Sequence, residues 1–230
     1  MSVEPCMKQL RFSIDEIARR VGRNPESIRL VLVTKTVEPA RILEAYQMGE
    51  RDFGENRVQE WNEKKDLLPQ DIRWHLIGHL QTNKVKLVIG RVALLHSLDR
   101  LDLADAIEKQ AKTKGITEVP CLVQVNMSRE ESKFGLDPSV VEDFIRQMPL
   151  RPRVKIRGLM AIGPLTEEAG KIRECFRKTR ELLEDLKGKF PLHVWDILSM
   201  GMSSDYRIAI EEGANMLRIG SLIFQREIPK

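Results

Sequence analysis

Leu30-Val31-Leu32-Val33-Thr34-Lys35 is a short run of Leu and Val closed by a lysine. Apolar residues in an unbroken run, half of them β-branched, read as a strand buried on both faces, the form strands take in a parallel sheet. Pro39 follows and opens an amphipathic helix through Ile42, Leu43 and Tyr46 that ends near Gly49. In parallel α/β proteins ligands gather where the strands end. A lysine at such an end, half wrapped in apolar wall, gives up its proton more readily than one in water. It is then a candidate for a Schiff base with an aldehyde. The plainer reading is a solvated lysine capping a strand.

Outward from this unit the same pattern repeats. Met7, Leu10, Ile14, Ile17 and Val21 form one face of a helix ahead of the first strand, with Gly22 as its stop. Further strands are expected over Asp52–Asn56, Trp74–Gly78, Val92–His96, Val119–Asn126, Val154–Met160, Trp195–Leu198 and Met216–Ile219. Helices are expected over Val58–Leu68, after Thr82-Asn83, and over Leu101–Lys112 and Ser139–Met148. A long helix begins near Thr166, and a last one runs from Ser204 to Glu212. About eight alternations with short connections imply a parallel sheet with helices outside. The reading is an α/β fold, a single (β/α)8 TIM barrel with an extra N-terminal helix and one domain over 1–230. A doubly wound open sheet is the competitor.

Composition narrows the class. In 230 residues, 42% hydrophobic and 31% charged, there is ample material for a core. No apolar run approaches the ~20 residues of a membrane helix, and no signal peptide is recognisable, so a soluble cytoplasmic protein is expected. Cys6, Cys121 and Cys175 are widely spaced and read as reduced thiols. The net charge of +4 is spread among acidic partners and aromatic residues are scarce at 5%, so nucleic acid is not expected as a partner. No metal site is expected, and the absence of a swapping domain favours a monomer.

In a barrel, Lys35, Asn56, His75, His79, Ser97, Asn126, Met160, Ser199–Ser203 and Arg218–Ser221 share one rim. Ser199-Met200-Gly201-Met202-Ser203-Ser204-Asp205 leaves the seventh strand for a helix, and Arg218-Ile219-Gly220-Ser221 leaves the eighth. Gly201 admits close backbone approach, the serines offer hydroxyls and the helix start offers amides. Loops seven and eight are where such barrels hold phosphate. Ser203 or Ser204 as a simple helix cap is compatible with this. An aldehyde, a phosphate and one lysine together suggest pyridoxal 5'-phosphate.

Four strings carry a family resemblance. They are Val33-Thr34-Lys35-Thr36, Phe53 to Glu60 (FGENRVQE), Trp74 to Lys84 (WHLIGHLQTNK), and Ser199-Met200-Gly201-Met202-Ser203 with Arg218-Ile219-Gly220-Ser221. In this order they resemble the signature of the pyridoxal phosphate homeostasis protein family. That family is similar to the amino-terminal barrel of alanine racemase, the fold type III class of pyridoxal phosphate proteins. The resemblance implies Lys35 as the Schiff-base lysine, and Ser199, Gly201, Met202, Ser203, Gly220 and Ser221 around the phosphate. It also implies Asn56 beside the cofactor and Arg218 facing the pyridine nitrogen. Thr34 stands where the family often has Ser, and Gln225 where Gly is usual.

Arg218 shapes the expected chemistry. A guanidinium only donates hydrogen bonds, so the ring nitrogen it faces must be an unprotonated acceptor, a weaker electron sink than a pyridinium. A racemase also needs acid/base groups on both faces of its substrate. Tyr46 and Tyr206 sit at helical positions, the first as packing and the second at best as a cofactor neighbour. The expectation is a cofactor-binding protein for cofactor homeostasis and amino-acid and keto-acid balance, with amino acids as further ligands and no robust catalysis. A racemase-like enzyme of the same fold and a cofactor-free Schiff-base aldolase are the alternatives.

Overall fold

The run read first forms β1 (Arg29–Val33), with Leu30, Val31 and Leu32 buried. The structure, a computed structural model, describes residues 3–130 and 133–224. Seven strands follow: β2 (Asp52–Glu55), β3 (Arg73–Leu76), β4 (Leu94–Leu98), β5 (Val119–Val125), β6 (Val154–Ala161), β7 (Ile197–Ser199) and β8 (Met216–Ile219). Each pairs in parallel with the next, and β8 returns to β1 with Leu30 opposite Leu217 and Leu32 opposite Ile219. That last ladder closes the barrel and excludes the open sheet.

The helices are α1 (Val3–Arg20), α2 (Pro39–Gln47), α3 (Val58–Lys64), α4 (Val85–Val88), α5 (Leu101–Thr113), α6 (Val141–Arg146), α7 (Ala169–Lys189), α8 (Tyr206–Glu211) and α9 (Ser221–Phe224). The N-terminal α1 packs on α2, α8 and α9, and a bond between Ser13 Oγ and Tyr206 Oη, 3.0 Å long, ties it to α8. Among the described residues no helix is long and apolar enough to cross a membrane.

Departures from the sequence reading are local. After Gln81 the chain makes a 3-10 turn over Thr82–Lys84 and then the single turn of α4, shorter than the helix expected. Val92 does not open β4, because its amide still donates to Val88 O at the end of α4. Trp195 lies outside β7, its Nε1 donating to Phe190 O at 2.9 Å. Thr166 precedes α7, its hydroxyl accepting from the Glu168 amide in a turn. The one-turn α9 was not anticipated, and Gln225 lies outside the described residues.

Strand alternation sorts the barrel into two cores. Leu32, Phe53, Leu76, Leu198 and Leu217 face the helices. Val31, Leu94, Leu122, Met160, Ile197 and Met216 fill the lumen. Among the polar side chains buried with them are His75, His96, Ser199 and Arg218. His75 Nδ1 lies 2.9 Å from His96 Nε2, His96 Nδ1 3.2 Å from Ser199 Oγ, and Arg218 Nη1 donates to Ser199 Oγ at 2.8 Å. On the outer side, Lys64 of α3 is buried against β1 and β2. Its Nζ donates to Thr34 O and to Glu55 Oε1, both at 2.8 Å, and Thr34 Oγ1 donates to the same carboxylate at 2.7 Å. This cluster pins the end of β1.

Two measurements check these burials. Lys64→Met strands the Glu55 carboxylate, and the variant is expected to lose about 3–5 kcal/mol in urea unfolding, with Glu55→Gln added on top recovering part of it. Burial, with the neighbouring His75 and the Arg218 charge, holds His96 well below its ordinary value. The unfolded chain therefore takes up a proton near pH ~6.5 that the folded chain refuses. Folding stability falls as pH drops below that point, by about 1.4 kcal/mol per pH unit from this group. His193, held down by its own burial, adds in the same sense. His96→Gln is expected to flatten the slope without removing it.

Candidate functional site

The carboxyl ends of β1, β2, β7 and β8 meet at one side of the barrel mouth. Lys35 follows β1 in a tight turn with Thr36, and its side chain is exposed. Just before it Thr34 is buried, its hydroxyl donating to Glu55 Oε1 at 2.7 Å. Thr36 adopts φ 59°, left-handed for a β-branched residue, and its amide donates to Glu60 Oε2 at 3.0 Å. Such a conformation costs on the order of 1–3 kcal/mol and clusters at functional sites. Asn56 lies just past β2, in a cleft of about 570 Å³ that also contains Arg57, His79, Gln81 and Lys84. Its Oδ1 is buried without a protein partner. Gly78 is required beside it, since a Cβ there would sit 2.1 Å from Asn56 O.

On the other flank Arg218 points into the lumen. Its Nη1 donates to Ser199 Oγ and its Nη2 to Ala161 O at 2.9 Å, so an outward salt-bridging role is excluded. Burial lowers its pKa to about 10, opposed by the charge of Asp205, and it stays a cation at neutral pH. Asp205 is itself buried, raised by that burial, and its Oδ1 accepts from the Met202 amide at 2.6 Å. Gly201 has φ 95°, and a Cβ on it would meet Ala209 at 2.5 Å, so this glycine serves the packing of α8. Gly220 lets β8 leave tight against β1: a Cβ there would lie 2.9 Å from Val33 O. Ser221 is exposed beside it, and Ser203 Oγ accepts from the Leu222 amide at 3.4 Å, joining the two loops. Neither Ser203 nor Ser204 caps α8.

Thus Lys35, Asn56, Ser203, Gly220 and Ser221 are neighbours at the mouth, with Ser199 and Arg218 beneath them. The remaining rim candidates separate. His75 and Met160 are lumenal, and His75 with Asp52 opens on the opposite mouth, where the strands begin. Asn126 and Ser97 hold backbone, the first through Glu130 O and Lys133 O and the second through Gly78 O. His79 stacks on Phe134 with ring centroids 4.2 Å apart. Tyr46 donates to Asp71 Oδ1, and Tyr206, offered as a cofactor neighbour, spends its hydroxyl on Ser13 of α1. Sequence reasoning missed Glu55, Lys64 and Asp205, whose partners lie on other elements. Among the described residues no group of His, Cys, Asp and Glu is arranged as a metal site.

Residues 6–227 match the family described as the alanine racemase N-terminal domain. A pyridoxal phosphate homeostasis protein of Aquifex aeolicus is 43% identical over 212 residues, 92% of each chain. A crystal structure of an unknown protein from Bifidobacterium adolescentis superposes with a TM-score of 0.90 at 31% identity, covering 96% of this chain and 94% of that one. The structure of PipY from Synechococcus elongatus with PLP bound superposes with a TM-score of 0.80 at 34% identity, covering 92% of this chain and 99% of that one. With a barrel of this topology and likeness of this extent across nearly its whole length, the chain belongs to the pyridoxal phosphate homeostasis proteins, within the family of the alanine racemase N-terminal domain.

Proposed function

We propose that this chain binds pyridoxal 5'-phosphate as a Schiff base on Lys35 and serves cofactor homeostasis and amino-acid and keto-acid balance without robust turnover. One observation carries the reading. The β1–β8 ladder that closes the barrel brings Lys35, Gly220–Ser221 and the Arg218 guanidinium to adjacent strand ends. The orphaned Asn56 Oδ1 fits a polar ligand at the same mouth. When bound, the cofactor supplies an aldehyde that condenses reversibly with an amine, releasing water.

The protein's part divides among named groups. Lys35 supplies the amine, and its exposure leaves it open to exchange with solvent and ligand. Ser203 and Ser221 offer hydroxyls to a phosphate, with Gly201, Met202 and Gly220 shaping the backbone around it. Arg218 donates towards the ring nitrogen, held in direction by Ser199 and Ala161 O. A fixed cation there keeps that nitrogen unprotonated, which weakens electron withdrawal from a substrate carbon. The occupied tyrosine hydroxyls support the absence of a second acid/base group.

Protein incubated with pyridoxal 5'-phosphate, reduced with borohydride and digested is expected to carry the pyridoxyl mass on Lys35. Lys35→Ala is expected to lose both the adduct and the visible absorbance. A wild-type protein that stays colourless, or an adduct on another lysine, would overturn the reading. Loaded wild-type protein in deuterated water is expected to exchange the α-hydrogen of amino acids no faster than the free cofactor does. Rapid exchange would instead favour the racemase-like alternative.

A further inference from the structure

The polar side chains of the lumen join into one continuous train. Arg218 Nη1 meets Ser199 Oγ at 2.8 Å, and Ser199 Oγ meets His96 Nδ1 at 3.2 Å. His96 Nε2 meets His75 Nδ1 at 2.9 Å, and His75 Nε2 meets Asp52 Oδ1 at 3.0 Å. Asp52 is clamped from outside by Arg73, whose Nε and Nη2 donate to it at 2.8 and 2.5 Å. The train crosses from the ligand mouth to the opposite mouth through the apolar lining of Val31, Leu94, Leu122 and Met160.

Its two ends decide every proton between them. A guanidinium can only donate, and an ionised carboxylate can only accept. Burial works to raise the Asp52 carboxyl, but the hydrogen bonds from His75 and Arg73 hold it well below the usual range. Since Ser199 Oγ accepts from Arg218, its own hydroxyl proton goes to His96 Nδ1. His96 must then carry its proton on Nε2 and give it to His75 Nδ1, and His75 in turn carries its proton on Nε2 for Asp52. With both imidazoles neutral, both are the same tautomer. With neutral rings, any other assignment sets two donors or two acceptors face to face.

We propose that His75 and His96 are positioning residues for Arg218, acting through Ser199 along this one-way chain. The proposal rests on the reading that Arg218 faces the ring nitrogen of the bound cofactor. His96 turns the Ser199 hydroxyl away from Arg218, so that a lone pair faces Nη1 and the guanidinium is held between Ser199 and Ala161 O. A second proton on His96 would make Nδ1 a donor, turn that hydroxyl and set a cation beside Arg218. The other charged groups facing the train are Asp205 behind Arg218, and Arg29, Arg73 and Arg157 at the Asp52 mouth.

The first test needs no ligand. Nitrogen-15 spectra of histidine-labelled protein at neutral pH, assigned with His75→Gln and His96→Gln, are expected to show both rings neutral with the proton on Nε2. A proton on Nδ1 of His96 would overturn the proposal. On loading with pyridoxal 5'-phosphate the His96 nitrogen signals are expected to shift, and unchanged signals would count against it. His96→Leu is expected to weaken cofactor affinity by roughly tenfold or more and to move the visible absorption maximum. His96→Gln, which keeps an acceptor for Ser199 and a donor for His75, is expected to remain within about threefold of wild type. Equal effects of Leu and Gln would reduce His96 to a structural role. If His96→Leu does not fold, the wild-type spectra still decide. Wild-type trapping at Lys35 with an affinity indifferent to His96 defeats this inference alone, whereas no trapping at Lys35 defeats the reading it rests on.

Discussion

A guanidinium buried inside a barrel is the constraint from which much of this architecture follows. An unpaired charge in such a lumen would cost many kcal/mol, and partners must therefore be supplied from several strands. Arg218 on β8 takes Ser199 from β7 and the Ala161 carbonyl from β6, with the charge of Asp205 behind it. Ser199 in turn needs an acceptor, His96 needs another, and the demand ends only at the Asp52 carboxylate, which Arg73 secures from the opposite mouth. Six strands are thus fixed relative to one another by bonds with direction, where apolar packing alone would tolerate rearrangement.

The same geometry explains why the first and last strands carry the site. Closure requires β8 to lie against β1, and Gly220 allows the approach because a side chain there would strike Val33 O. Lys35 and the loop after β8 become neighbours although nearly two hundred positions separate them. Behind Lys35 the Glu55–Lys64–Thr34 cluster anchors the strand, while Thr36 is forced left-handed and tied to Glu60. The strand end is held by these bonds, and Lys35 beyond it is exposed.

The barrel was legible because its signal is local. Apolar runs alternate with amphipathic helices, and each unit can be read by itself. The rim was legible because strand ends follow from strand positions: Lys35, Asn56, Gly220 and Ser221 follow the ends of β1, β2 and β8. The lumen was also present in the sequence as a parity: Asp52 and Gly54, His75 and Ile77, Leu94 and His96, Ile197 and Ser199, Met216 and Arg218 each lie two apart on one strand face. What the sequence withholds is which polar member of one strand meets which of another. That depends on barrel stagger, and a shift of one residue would send His75 to the helix layer. His75 was accordingly assigned to the rim, and Glu55, Lys64 and Asp205 were given no role.

Exposure of Lys35 and burial of Arg218 make sense together if the protein's task is to hold a reactive aldehyde and surrender it. A cation lowered to about 10 by burial is still almost wholly charged at neutral pH, so on the proposed reading a ring nitrogen opposite it would meet a donor continuously. Protonating that nitrogen would place two positive charges side by side in a low-dielectric lumen. On that reading the ring would be kept a poor electron sink, which would restrain chemistry on any amino acid that joined it. An enclosing wall around the lysine would deepen binding and slow release, as suits an enzyme that keeps its cofactor through many turnovers. On the proposed reading, an exposed lysine would give instead a condensation that water and competing amines can reverse. Reversibility at one end and electronic restraint at the other are the two properties a cofactor reservoir needs, and that reading assigns them to separate residues, Lys35 and Arg218.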